Sequence, residues 1–228
     1  MKIGNMQQAG KQRGFTLIEI AIVLVIIGLL LGGVLQGQQL IENSRVKSAV
    51  NDFNGIAAGA FSYQDRYGRL PGDDPGALPA RGSSWPMSAA GDGDGVITDA
   101  ANVFAPTNME ETAFFFQNLR SAGFITGDAT LVGARALPSN PFGGLITIVT
   151  AQILGSAANT NMLNGTKVCM SNVSGTSAIA LDTQLDDGIP SSGRFRASAN
   201  GGVVNAAPAG VGAAAYTEDT NYTVCYRI

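Results

Sequence analysis

The chain has 228 residues, a formal net charge of −3, and charged side chains at only 14% of positions. That length fits one anchored domain rather than two full ones, and the lack of any basic run beyond the first residues argues against nucleic acid as a partner. With no histidine, no G-x-S-x-G and no Walker motif, the sequence points away from an enzyme and calls for no cofactor.

Lys2, Lys11 and Arg13 precede an apolar run from Phe15 to Leu35, FTLIEIAIVLVIIGLLLGGVL, whose only charge is Glu19. These 21 residues would span about 30 Å as a helix, one hydrocarbon core. The positive-inside rule keeps the N-terminus cytoplasmic and exports the residues after Leu35. An ordinary signal peptide has a shorter apolar region followed by a small-residue cut site; here the run is long, and Gly14 lies before it.

Beyond Leu35 the pattern turns amphipathic. Val46, Val50, Phe53, Ala57, Ala60, Tyr63 and Tyr67 step by three or four, which predicts one helical stripe. No proline interrupts residues 15 to 70, so a helix from Phe15 to about Tyr67 is expected, roughly 80 Å long. Gly28, Gly32, Gly33 and Gly37 lie within it; they read either as close packing in a membrane helix or as a soft segment, since each costs about 1 kcal/mol against alanine.

Gly68, Pro71, Gly72, Pro75 and Gly76 end that helix, and a loop region continues to about Thr107. NMEETAFFFQNLRSAGFI predicts a second helix, capped by Asn108 and ended by Gly123, with its phenylalanines in the core. LITIVTAQILG (145–155), KVCMSNV and NYTVCYRI predict strands, and SAIALDTQLDDG a short helix or turn. The expected fold class is α+β, with the exported half of the long helix packed on an antiparallel sheet.

Cys169 and Cys225 read as a disulfide in an exported domain, or as two buried thiols. A bond closing such a loop would contribute about 4 kcal/mol in the chain-entropy model. AGDGDGVITD spaces Asp92 and Asp94 like the middle of a calcium loop, but alanine stands at 90 and 101 where ligands belong. It reads as a tight acidic turn or a calcium site. Asp182, Asp186 and Asp187 read the same way, as a capped turn or a metal site, and no metal is assigned to either. The Asn-x-Ser/Thr triplets at Asn164, Asn172 and Asn221 mark exposed polar loops.

Gly14-Phe15-Thr16-Leu17-Ile18-Glu19, with a basic leader before it and a long apolar run after it, resembles the prepilin family of type IV pilins and the related pseudopilins of type II secretion. The resemblance implies that prepilin peptidase cuts between Gly14 and Phe15 and that Phe15 becomes the N-methylated end. It also implies that Glu19 is the glutamate that guides assembly. A carboxylate inside a bilayer helix costs roughly 2.5–3.5 kcal/mol, less near an interface. An amine on Phe15 of one subunit and Glu19 on its neighbour would neutralise each other and set the axial register.

The resemblance further implies a pilin fold organised as a cleaved leader (1–14), a long helix (15–67, transmembrane over 15–35) and a globular head (68–228). The late cysteine pair looks closest to type IVb-like pilins, in which the disulfide closes a C-terminal surface region. The implied partners are copies of the chain itself, prepilin peptidase and the pilus assembly platform of the inner membrane. The implied location is the inner membrane for the precursor and the cell-surface pilus afterwards. A pseudopilin, or a minor tip pilin with an adhesive head, shares these N-terminal features and stays an alternative.

Overall fold

The computed structural model describes residues 14–77, 85–86, 90–97, 102–107, 109–155 and 162–228. The basic leader residues Lys2, Lys11 and Arg13 and the expected cap Asn108 lie outside them. The chain divides into two units, Met1–Glu42 and Asn43–Ile228.

Helix α1 runs Leu17–Tyr67 and stays helical through Gly28, Gly32, Gly33 and Gly37. Its residues within the first unit bury no side chain. In the second unit the amphipathic stripe packs as its spacing requires: Val46, Ala49, Phe53, Ile56, Ala60 and Tyr63 are buried in the main core. Gly68 comes next with φ +66, and Pro71 lies just beyond, so the helix cannot continue.

Helix α2 spans Glu111–Ser121, and its N-cap is Glu110 rather than Asn108. The Glu110 side chain is turned back to accept from Thr107 N at 2.6 Å. At the other end Gly123 adopts φ +78, with Phe124 N bonded to Leu119 O at 2.9 Å and Gly123 N to Arg120 O at 3.0 Å. This is a Schellman ending that a side chain at 123 would strain. A 3-10 turn comes after it at Gly133–Ala136.

Strands β1 (Ile146–Val149), β2 (Lys167–Ser174), β3 (Phe195–Ala199) and β4 (Asn221–Arg227) form one antiparallel sheet in the order β1-β2-β4-β3. Helix α3, Gly175–Leu185, succeeds β2 and is capped by Ser174, whose hydroxyl accepts from Ser177 N at 3.3 Å. β1 is shorter than the apolar run 145–155 predicts. Thr150 leaves the ladder because its hydroxyl both accepts from Ile97 N and donates to Ile97 O, each at 3.0 Å. Asn172 marks no exposed loop: it sits in β2 at φ +58, where the pairing with β4 shifts between Met170 and Val173.

Strand alternation sorts the core into two layers. Val168 and Met170 of β2, Val224 of β4 and Phe195 of β3 join the α1 stripe, where Phe53 meets Phe195 edge-on at 6.1 Å. Cys169 and Cys225 point to the other face, among Val103, Phe104, Val149, Leu154 and Leu163. The two cysteines are direct register partners, joined by a disulfide, and neither is exposed. The bond therefore does not close a surface region. It joins two neighbouring strands inside the sheet under a second apolar layer.

Candidate processing and assembly site

The start of α1 brings Gly14, Phe15, Thr16 and Glu19 together. Thr16 is the residue before the helix, and Glu19 is three residues further on, so their side chains can serve each other's backbone. Both donors of Thr16 reach the same carboxylate oxygen: its N–H and its hydroxyl each donate to Glu19 Oε2 at 2.8 Å. Glu19 N donates in return to Thr16 Oγ1 at 3.3 Å. This reciprocal box satisfies amides that a helix start otherwise leaves bare.

The arrangement gives Glu19 a defined place before any partner arrives. It also leaves Oε1 with no hydrogen bond among the described residues, one oxygen available to a cation. Phe15 is 83% exposed and Gly14 is exposed just outside the helix, so the 14–15 peptide bond is open to a protease. Thr16 was legible as the first member of a T-x-x-E pattern ahead of an apolar run, yet a reading centred on the acid alone passes over it.

Downstream, Leu17, Ile18, Leu24, Leu29 and Leu31 are all at least 60% exposed. Surfaces this apolar are not stable facing water; they require lipid or other apolar helices. Among the described residues α1 is the one helix long and apolar enough to cross a membrane.

In the second unit the two acidic motifs build loops. Asp73, buried, accepts from Gly93 N at 2.5 Å and Asp94 N at 3.1 Å on Oδ1, and from Gly95 N at 2.7 Å on Oδ2. Asp92 and Asp94 close turns onto Asp94 N and Val96 N. Asp186 accepts from the amides of Arg194 and Phe195. Asp187 accepts from Ile189 N and Ser192 Oγ, at 2.9 and 2.5 Å. Each trio brings carboxylate oxygens within 4.8 Å of one another, but most of those oxygens already serve as acceptors within the chain.

An exposed apolar helix with a lone capped acid at its start, ahead of an α+β unit, defines a chain that fits a membrane-anchored precursor. Residues 10–35 match the family model for the prokaryotic N-terminal methylation motif, which is the prepilin-type motif of type IV pilins and pseudopilins. The motif implies processing by prepilin peptidase and assembly into a pilus or pseudopilus, in a family whose members are structural. No curated protein matches the chain.

Proposed function

We propose that the chain is the precursor of a structural subunit of a type IV pilus. Prepilin peptidase removes residues 1–14, Phe15 becomes the methylated N-terminus, and residues 15–35 hold the subunit in the inner membrane. Copies then stack through those helices, with the heads, residues 68–228, outside. Van der Waals packing of the apolar helices supplies the cohesion. The Phe15 amine of one copy and Glu19 of the next set the register.

The observation that carries this reading is the Thr16–Glu19 box at the head of an apolar helical segment that buries no side chain, within a prepilin motif. The buried Cys169–Cys225 bond supports a pilus over a periplasmic pseudopilus, because a fibre outside the cell needs a durable head. Intact mass and N-terminal chemistry of protein sheared from the cell surface test it. Filaments of a chain beginning at N-methyl-Phe15 are expected. A processed chain confined to the envelope would instead favour a pseudopilin, and an uncut Met1 end would overturn both.

A further inference from the structure

Three Asn-Gly pairs stand in the sequence, at 54–55, 164–165 and 200–201. An asparagine followed by glycine is chemically labile, because no Cβ on the next residue hinders its backbone nitrogen from reaching the side-chain amide carbon. Whether each pair reacts depends on how the fold holds it. Asn54 is exposed, but it lies inside α1, where the Gly55 amide is committed to the helical ladder and cannot turn towards the side chain before it. Asn200 is buried, and its Oδ1 is pinned by accepting from Gly202 N at 3.0 Å.

Asn164-Gly165 has neither restraint. Both residues are exposed, in the turn between the Ile153–Leu163 bridge and β2. Among the described residues no hydrogen bond engages the Asn164 side chain or the Gly165 amide. Gly165 adopts φ +84, a conformation other residues enter only with strain, so the fold itself requires the glycine that makes the pair labile. The chain is tied on either side: Leu163 N donates to Ile153 O at 2.9 Å, and Gly165 O accepts from the ammonium of the buried Lys167. The reacting atoms are free while their surroundings are fixed.

We infer that Asn164 is a site of spontaneous modification, an intramolecular deamidation that converts it to isoaspartate and aspartate. The Gly165 nitrogen attacks Cγ of Asn164. The N–Cγ bond forms, the Cγ–Nδ2 bond breaks, and the proton from nitrogen leaves with Nδ2 as ammonia. Water then opens the five-membered imide, at the side-chain carbonyl to give aspartate or at the main-chain carbonyl to give isoaspartate. Water is the sole co-reactant. Either product adds a negative charge to a chain at −3. Isoaspartate also inserts a methylene into the backbone just before Gly165, displacing the carbonyl that Lys167 uses at the start of β2. The modification belongs to the second unit and holds whether or not the chain assembles.

Peptide mass mapping of the full-length chain tests it, after incubation in detergent at mildly alkaline pH and digestion in acid. The amide-to-acid mass gain is expected about ten-fold faster at Asn164 than at Asn54 or Asn200, whose reacting groups are held out of attack geometry. In guanidinium chloride the three pairs should react at similar rates, which assigns the selectivity to the fold. Isoaspartyl methyltransferase should label the aged wild-type chain and not the Asn164→Gln variant, whose longer side chain closes a ring far more slowly. Asn164 that keeps its amide in the folded chain while the unfolded chain reacts would overturn the inference. So would Asn54 or Asn200 reacting as fast in the folded chain, or a label that survives Asn164→Gln.

Discussion

The hydroxyl of Tyr216 donates to Asp182 Oδ2 over 2.6 Å, and Gly188 N donates to Oδ1 of the same carboxylate at 3.1 Å. Asp182 is nonetheless pushed up to about 6, because burial outweighs both bonds and Asp187 and Asp186 add like charge. The folded value lies above the ordinary 3.8. Asp182 therefore contributes stability that is complete below 3.8 and is lost as pH rises through about 6. Relative to Asp182→Asn, the wild-type chain in detergent is expected to lose up to about 3 kcal/mol between about pH 4 and pH 7, read by denaturant unfolding.

Thr16 and Glu19 share one oxygen through two donors. Thr16→Val removes the hydroxyl and keeps the backbone N–H bond. Amide exchange at Glu19 in micelles is expected to quicken about five-fold, the equivalent of a typical cap. Glu19→Gln keeps an acceptor and removes the charge. It should leave that exchange rate nearly unchanged while reducing filament recovery, which separates the local cap from the assembly charge.

Replacing both Cys169 and Cys225 by alanine is expected to cost about 2–4 kcal/mol by denaturant unfolding, since the bond spans 56 residues. The reagent 5,5′-dithiobis(2-nitrobenzoate) should find no thiol in the native chain. A mild reductant should open the bond only under conditions that also unfold the sheet, because both sulfurs are buried.

Asp73→Ala strips three amide donors, Gly93, Asp94 and Gly95, of one buried acceptor. A loss of about 2–4 kcal/mol is expected, with new proteolytic cleavage within residues 90–97. Glutamate at the same position places its oxygens a methylene too far and should not rescue the loop.

The elements that could be read in the sequence are those whose burial is one-sided. The 46–67 stripe has one wet face, and its three- and four-residue steps result from that. β4 could be read because Tyr222, Thr223, Val224 and Tyr226 crowd around its cysteine, and β2 because Val168, Met170 and Val173 do so more thinly around Cys169. β3 could not: Phe-Arg-Ala-Ser-Ala offers one large apolar residue, and Arg196 looks like a surface residue. Arg196 is buried because Leu154 O accepts from its Nη1 at 2.8 Å, a partner 42 residues away that no local pattern encodes. The cap of α2 falls outside local pattern for a related reason, since Glu110 serves the preceding loop. At the start of α1 the acid was conspicuous because charge is rare in an apolar run. Thr16 was inconspicuous because a threonine there costs nothing to explain.

The strand order β1-β2-β4-β3 has a consequence for how the chain matures. Among the described residues β3 pairs with β4 and with no other strand, and Cys169 is bonded to Cys225. Until residues 221–227 arrive, β3 has no neighbour, β2 has an open edge, and a thiol waits for its partner. The centre of the sheet is thus completed by its last segment, so a stalled or shortened chain forfeits half the sheet rather than a fringe. Oxidation at 169 and 225 can then serve as a timestamp: where oxidant is slow, chains should accumulate whose sheet is unfinished, with the free thiol at 169 reporting how far each has come.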